Sequence, residues 1–417
     1  MTIFSRLVIA FFAAIGVLTT VGVAAVVFFS PATLPAPSPP VEHPSGAYPL
    51  HGRDPAFPAD FGQVEEERPA GDPIRILALS SGGEGGAYGA GILAASSTAN
   101  DWPDFDIYTG VSVGSLLAAT LYAGQSGEDD FKAIVEDVAA AVEAGRNANH
   151  RWDVATVIFG KGTVVSRAVQ RVIRDHFNED MVQRMAEQHR KGKRLYAIST
   201  DLTVGTPLLW DLGAIAAGPG PDNVADVQKA LLAGTSVPLI FPAQVLEASG
   251  DYTLQVDGAI MRPFFISDNF IKLGAERPLE VHFLVNDKLD ATFTARPLSP
   301  RVDSIAHRLL SVMYLAETRG FLDRLLLDSL LFGWTVNVAS IPDTQPDTQK
   351  ADEMTEASIM SAFNSAYETT ETVLDAGGDL AEVWVPLTAD LIGLKLPCHV
   401  SSSQCADEPA NAAVSTK

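Results

Sequence analysis

The chain passes from an apolar, strand-like run directly into a cluster of glycines, and this passage constrains the fold more than any other stretch. Residues 73–80 read PIRILALS, and glycine occupies six of the ten positions from 82 to 91. Glycine costs conformational entropy on folding, so such a cluster between a strand and a predicted helix indicates that main chain must approach another group closely. The stretch therefore predicts a close-packed turn at the carboxyl end of a strand.

Short apolar runs alternate with longer helical patterns along the rest of the chain. We predict strands at residues 74–80, 105–110, 194–200, 252–257 and 279–285. Amphipathic spacing predicts helices at 129–145 and 164–177, and a strongly apolar helical block covers 305–334. This alternation is typical of a layered α/β domain with a largely parallel sheet. We place the domain at residues 71–395, followed by a polar tail at 396–417.

An uncharged apolar segment precedes this domain. Residues 7–29 hold no charged side chain, and as a helix they would extend roughly 35 Å, against about 30 Å for a hydrocarbon core. Secretory signals are shorter and end at a small-residue cleavage site, so we favour one uncleaved N-terminal transmembrane helix within residues 1–30 over a signal that is removed. The prolines of residues 31–70 predict an extended linker.

The distribution of basic residues predicts the orientation of this segment. Arg6 precedes it, and no Lys or Arg follows until Arg53. The positive-inside rule then leaves the N-terminus in the cytoplasm and the domain on the extracytoplasmic, periplasmic side. If the segment is cleaved, the domain is secreted.

The charge balance bears on partners. The chain holds 51 Asp and Glu against 29 Lys and Arg, a net charge of −22, which repels phosphate backbones, so we expect no nucleic acid partner. Contact with a membrane must then come from apolar sequence such as residues 7–29. Cys398 and Cys405 either form a disulfide outside the cytoplasm or remain two thiols. No metal-ligand spacing occurs and no cofactor is implied; the oligomeric state stays open.

A second glycine motif lies about thirty residues beyond the first. Gly110, Ser112 and Gly114 form a G-x-S-x-G between an apolar run and a helical stretch. A serine at a sharp strand-to-helix turn is held in strained geometry beside a helix N-terminus, which makes Ser112 a candidate nucleophile at a nucleophile elbow. For the pentapeptide alone, an ordinary glycine turn is the alternative.

A nucleophilic serine also requires a base and an oxyanion hole. Asp257 ends a strand-like run, where a turn can direct its carboxylate into a site; an ordinary Asp-Gly turn is the alternative. The bare amides of Gly82 and Gly83 can converge on an oxyanion. A dinucleotide-binding loop does not fit, because Tyr88 takes the third glycine position, and the chain has no Gly-Lys-Ser or Gly-Lys-Thr for a phosphate-binding P-loop.

The glycine loop, the G-x-S-x-G and an Asp-Gly-Ala, in this order, resemble the patatin-like phospholipases, whose enzymes use a Ser-Asp dyad without histidine. Residues 194–213 and 230–246 extend the likeness, with Pro238, Phe241 and Pro242 in step with a family block. The resemblance covers roughly residues 73–270.

The resemblance implies a fold and a chemistry. The fold would be a three-layer α/β/α patatin-like domain with a mainly parallel central sheet. In it, Ser112 would attack an acyl carbonyl of a lipid or phospholipid substrate, Asp257 would take the proton, and the amides of Gly82 and Gly83 would hold the oxyanion. Water would then release the acyl group. An apolar channel beside the serine, capped by residues 304–335, would bind the acyl chain.

The glycine loop departs from the family pattern at one position. The family commonly reads G-G-G-x-R/K-G, whereas residues 81–86 read SGGEGG, so Gly85 stands in place of the basic residue. A basic side chain helps to neutralise a phosphate or an oxyanion. Its loss weakens the inference to phospholipid more than the inference to ester cleavage.

Two other functions stay open. An α/β-hydrolase-type esterase would need a Ser-His-Asp triad, for which the late histidines are His282, His307 and His399. A non-catalytic, lipid-binding protein on the same scaffold is conceivable because the loop lacks its basic residue. Asp201 is interpreted as a loop carboxylate rather than a site residue.

Overall fold

A computed structural model describes most of the predicted domain. The described residues are 45–50, 71–83, 85–146, 164–238, 240–248, 251–266, 277–289, 302–345 and 355–393. The apolar segment at residues 7–29, most of the linker, both cysteines and the C-terminal tail lie outside these ranges. Within them, no helix is both long and apolar enough to cross a bilayer, so the transmembrane helix stays a prediction.

Strands and helices alternate along the described chain. The strands are β1 (Ala47–Pro49), β2 (Ile74–Leu79), β3 (Ile107–Val111), β4 (Arg194–Asp201), β5 (Thr206–Asp211), β6 (Gln244–Ala248), β7 (Asp251–Asp257), β8 (Leu279–Lys288), β9 (Thr335–Ile341) and β10 (Val385–Pro386). The helices are α1 (Gly85–Ser96), α2 (Val113–Tyr122), α3 (Glu128–Arg146), α4 (Val164–His176), α5 (Glu179–Arg190), α6 (Leu212–Ala217), α7 (Asn223–Gly234), α8 (Val302–Phe332), α9 (Glu356–Asp375) and α10 (Leu380–Val383), with a 3₁₀ turn at Gly258–Ile260.

All of these strands belong to one sheet with a parallel centre. Their order is β1-β5-β4-β3-β2-β8-β9-β10. Neighbours from β4 to β9 are parallel, whereas β1, β5, β10 and the β6–β7 hairpin add antiparallel pairs. The prediction of a mainly parallel central sheet is therefore confirmed.

The central strands are buried on both faces, because their side chains alternate between two cores. Leu77 and Leu79 of β2 pack in the core that most of the helices cover. Ile76 and Ala78 point to the opposite core, where Leu322 of α8 packs. Helices therefore lie on both sides of the sheet, in the three-layer α/β/α arrangement.

The five predicted strands correspond to β2, β3, β4, β7 and β8, and the two amphipathic helices to α3 and α4. Within the predicted extended linker, Ala47–Pro49 pairs with β5 as an edge strand. Ala47 and Leu50 are buried there, so this piece gains apolar burial that the proline-rich composition concealed. Pro49 is tolerated because an edge strand does not need every N–H for pairing.

Helix α1 explains part of the glycine cluster. The helix is buried along its whole length, and its small residues let its backbone approach α9. A Cβ at Gly91 would lie 2.8 Å from the Ala366 Cβ and 2.9 Å from the Tyr367 nitrogen. Glycine here permits helix packing, whereas the exposed Gly320 of α8 has no other group within 4 Å of its Cβ position.

We expect one substitution to change stability in opposite directions at these two helical glycines. Gly91→Ala should lower the free energy of unfolding by about 1–3 kcal/mol, since α9 must shift to admit the methyl group. Gly320→Ala should raise it by about 0.4–1 kcal/mol by restricting the unfolded chain. Urea unfolding of both variants measures the difference, and a change of the same sign in both would contradict the close packing of α1 on α9.

Candidate active site

Two strands of opposite direction end against each other on one edge of β4. Strand β3 runs parallel to β4 and ends at Val111, opposite Ile198. Strand β7 runs antiparallel on the same edge and ends at Asp257, opposite Ser199. The residue that follows Val111 is Ser112, so this meeting point brings together two residues 145 positions apart in the sequence.

Ser112 occupies a strained strand-to-helix turn. It precedes α2 with φ 55° and ψ −128°, and it is the one non-glycine residue with positive φ among the described residues. The flanking glycines permit the turn: a Cβ at Gly110 would overlap the Gly114 main chain, and one at Gly114 would overlap the Ser80 carbonyl. The G-x-S-x-G is therefore required sterically at both glycines.

The Ser112 side chain points at Asp257. Its Oγ donates a hydrogen bond of 2.6 Å to Oδ2 of Asp257 and does not cap α2. Oδ1 of Asp257 accepts the Ala259 amide at 2.8 Å. Both oxygens of the carboxylate are thus held, and one of them is aimed at the serine hydroxyl.

Burial determines the electrostatics of this pair. Ser112 is 7% and Asp257 2% exposed. Desolvation raises the pKa of Asp257 from 3.8 to about 6, although the hydrogen bonds from Ser112 and Ala259 act in the opposite direction. A carboxylate with its pKa in this range is ionised near neutral pH and remains basic enough to accept a proton from a hydroxyl.

The backbone of Asp257 is held by the block with Pro238, Phe241 and Pro242. Its amide donates a 2.9 Å hydrogen bond to the carbonyl of Ser236, just beyond α7. Gly258 must lack a side chain because a Cβ there would overlap the Ile198 carbonyl. The Asp-Gly pair therefore forms a turn, which was the alternative to a site residue in the sequence analysis. That same turn directs the carboxylate to Ser112.

The glycine loop lies against both sides of the elbow. The Ser80 carbonyl contacts the Cα side of Gly114, and the Cβ position of Gly86 overlaps the Val113 side chain. Gly82 and Gly83 lie between these two contacts, and Gly83 adopts φ 55° with open space at its Cβ position. Their amides donate to no other described group.

Two residues that the sequence analysis missed hold this loop. Asn286 at the end of β8 donates from its side chain to the Ser80 carbonyl and from its amide to the Ser80 hydroxyl, both at 2.7 Å. Tyr314 of α8 donates to the Ser81 carbonyl at 3.0 Å. Asn286 could have been found from the sequence, because it is a polar residue directly after the apolar run 279–285. The residues around Tyr314 give no such indication.

The same packing accounts for the departure from the family pattern. A Cβ at Gly85 would overlap the carbonyl oxygen of Asn286 and lie 3.2 Å from the Ile341 side chain. The first turn of α1 therefore leaves no room for a basic side chain at this position. The loop can offer main-chain dipoles to an anion, but no cation from position 85.

The other sequence candidates lie apart from this pair. The register of the sheet places His282 beside Leu77 of β2, and Leu77 beside Tyr108 of β3. Tyr108 precedes Ser112 by four residues, so His282 lies about 13 Å from Ser112 along the strand direction. Its ring packs on Phe105 and Trp384, and burial lowers its pKa to about 4.

Asp201 is buried and accepts the Thr203 amide at 2.8 Å, within the β4–β5 connection, as expected of a loop carboxylate. The His307 side chain and His399 lie outside the described part of the chain. Within that part, no three His, Cys, Asp or Glu side chains form a group that could hold a metal ion.

Comparison with known proteins finds a family model similar to this region. Residues 77–269 match the family model Patatin, described as patatin-like phospholipase. The crystal structure of VipD from Legionella pneumophila is similar at 12% identity, over 73% of this chain and 67% of that chain, with a TM-score of 0.32. No curated protein matches the sequence. The glycine loop, Ser112 and Asp257 all lie within the residues that match this family model.

We expect the strain at Ser112 to be measurable without any substrate. Ser112→Gly and Ser112→Ala both remove the hydrogen bond to Asp257, but only glycine relieves the positive φ. The glycine variant should be more stable than the alanine variant by about 1–3 kcal/mol. Chemical denaturation of the two variants measures this difference; equal stability, or a more stable alanine variant, would show that the turn is unstrained.

Proposed function

We propose that this chain is a serine acyl hydrolase of the patatin type, which cleaves fatty-acyl ester bonds of lipids through a Ser112–Asp257 dyad. The 2.6 Å hydrogen bond between Ser112 Oγ and Asp257 Oδ2, at a strained elbow, carries the proposal. The patatin-like phospholipase match over residues 77–269 supports lipid acyl hydrolysis at the level of the family. Phospholipids and lysophospholipids are the first substrates to test.

In the acylation step, ionised Asp257 takes the Ser112 proton as Oγ bonds to the acyl carbonyl carbon. The negative charge moves from the carboxylate to the carbonyl oxygen of the tetrahedral intermediate. The amides of Gly82 and Gly83 then stabilise that oxyanion, aided by the N-terminus of α2. Collapse expels the alcohol, which takes the proton from Asp257, and leaves the acyl group on Ser112.

Water completes the cycle by the same route in reverse. Asp257, ionised again, takes a proton from water as the water oxygen attacks the carbonyl carbon of the acyl-enzyme. Asp257 then returns this proton to Ser112 as the fatty acid leaves. Of the three late histidines, His282 is the one whose side chain lies in the described part of the chain, and it has no part in this scheme because it packs in the core against Phe105 and Trp384. This observation favours the dyad over a Ser-His-Asp triad that uses His282.

The proposal includes a location. Residues 7–29 would anchor the chain in a membrane with the domain on the extracytoplasmic side, as the charge pattern of the N-terminus predicts. Such an anchor would hold the enzyme beside lipid substrates. Mass spectrometry of the full chain, isolated from the membrane fraction, would report whether the segment is retained.

Substitution of either dyad residue should abolish hydrolysis of a fatty-acyl ester. We expect Ser112→Ala and Asp257→Asn each to lower kcat/KM on the order of 10³-fold or more, since the dyad acts as one unit. A fluorophosphonate should label wild-type protein at Ser112 but not Ser112→Ala. His282→Gln serves as the control and should keep its turnover per folded molecule. Full activity in either dyad variant would refute the assignment, and failure of the wild type to label would favour the non-catalytic binder.

The pKa of Asp257 predicts the pH dependence. The base must be ionised, so kcat/KM for an uncharged ester should rise with pH around a midpoint near 6 and then level off. Asp211, whose pKa burial also raises to about 6, caps α6 instead, so Asp211→Asn should keep this limb and is the matched control. A flat profile across roughly pH 5 to 8 would contradict Asp257 as the base.

A further inference from the structure

Helix α8 forms part of the wall of the candidate site. Tyr314 donates to the Ser81 carbonyl of the glycine loop, and the helix also contacts the 3₁₀ turn that follows Asp257. One helix therefore touches both loops that flank the Ser112–Asp257 pair.

The direction of α8 follows from two points at which it meets the sheet. Its last turn at Phe332 leads into β9, whose Thr335 is level with Glu280 at the amino end of β8. Tyr314 lies at the opposite edge, next to Ser81, where β2 has ended. The helix is continuous from Val302, so its first twelve residues continue for about 18 Å beyond Tyr314, away from the amino edge of the sheet.

This projecting half of α8 exposes apolar side chains on one face. Ile305, Leu309, Val312 and Met313 are exposed although they are large and hydrophobic. Their spacing of four, three and one residues places them within an arc of about 100° on the helix surface. Exposed apolar faces of this kind mark interaction sites.

Other exposed apolar residues lie at the same edge of the sheet. Leu202 and Val204 follow β4 in its connection to β5, and Met261 follows the turn after Asp257. The Leu202 amide donates to Leu254 of the β6–β7 hairpin, where the exposed Val245 is the strand partner of Leu254. Exposed apolar side chains are therefore found on three separate segments beside the candidate site.

The first half of α8 carries fewer acidic residues than the second. Residues 302–316 hold one acidic residue, Asp303, together with His307 and Arg308, whereas residues 317–332 hold three acidic residues and two arginines. In a chain of net charge −22, approach to a phospholipid surface is least opposed where apolar side chains predominate and acidic ones are fewest.

We infer that the projecting half of α8 docks on the surface of a lipid bilayer, with Ile305, Leu309, Val312 and Met313 among the acyl chains. This orientation brings the carboxyl edge of the sheet, with Ser112, to the membrane from which an acyl chain would be taken. The inference rests on the proposed function for the use of the surface, but the docking itself requires no chemistry.

A site-resolved measurement separates this contact from any anchoring by residues 7–29. In the full chain with Cys398→Ser and Cys405→Ser, single cysteines are placed at Leu309, Met313 or Leu331 and labelled with a polarity-sensitive fluorophore. The protein is reconstituted with vesicles of equal parts phosphatidylcholine and phosphatidylglycerol, with or without doxyl-labelled lipid. Leu331 is the matched control at the other end of the same helix, and it is the more exposed site at 74% against 59% for Leu309.

We expect labels at 309 and 313 to shift to shorter wavelength on vesicles and to be quenched severalfold more by doxyl lipid than the label at 331. Ser112→Ala should give the same result, since docking precedes chemistry. Equal quenching at 309 and 331, or none, would overturn the inference. So would a label at 309 that is already shielded without lipid, because another part of the chain or a second copy would then cover the face.

Hydrolysis of a short, water-soluble ester tests the proposed function separately. Turnover of that ester without lipid contact at residue 309 would support the proposed hydrolase function and refute the docking surface. Lipid contact at residue 309 without turnover of any ester would support the docking surface and refute the proposed hydrolase function.

Discussion

The edge of β4 shared by β3 and β7 is the constraint on which the site depends. A parallel strand and an antiparallel strand cannot occupy the same stretch of one edge, so they must meet end to end. Here β3 ends at Val111 and β7 ends at Asp257, opposite adjacent residues of β4. The residue after one end and the residue at the other then come within hydrogen-bonding distance. Because sheet register fixes this meeting, the geometry of the Ser112–Asp257 pair is set by backbone hydrogen bonds rather than by flexible loops.

Two unfavourable features are concentrated at this meeting point, and the surrounding packing sustains both. Ser112 is held at positive φ by the close contact of Gly114 with Leu79 and Ser80. Asp257 is kept away from water, which raises its pKa and leaves it ready to accept a proton. Strain and desolvation each cost stability, and both are features that the proposed catalytic role of this pair would require.

The sequence was sufficient for the parallel centre of the sheet and for singling out Ser112 and Asp257, which the structure brings together, but not for the parts fixed by tertiary pairing. Strands β2, β3, β4 and β8 are apolar runs that must be buried on both faces, so their pattern is local. Strands β1 and β10 are short, and what makes them strands is a partner distant in sequence. Asn286 and Tyr314 act across 206 and 233 residues, and no local pattern records a contact of that range. Gly91 was also misinterpreted: the glycine cluster was taken to predict a turn, whereas Gly91 lies within α1 and permits its packing on α9.

The close packing of α1 also bears on how the site can treat charge. Gly85 begins α1 against the Asn286 carbonyl, so the position at which the family commonly has a basic residue cannot hold a side chain unless β8 or α1 moves. An oxyanion in this site would then be stabilised by main-chain N–H groups and by the N-terminus of α2, whose dipoles are fixed in direction and carry no net charge. Such a site gains little from a second negative charge on the substrate, because no cation from the loop offsets the desolvation of that charge. Under the proposed function, the packing of α1 on β8 at Gly85 would therefore favour recognition of the uncharged acyl ester over that of a charged headgroup.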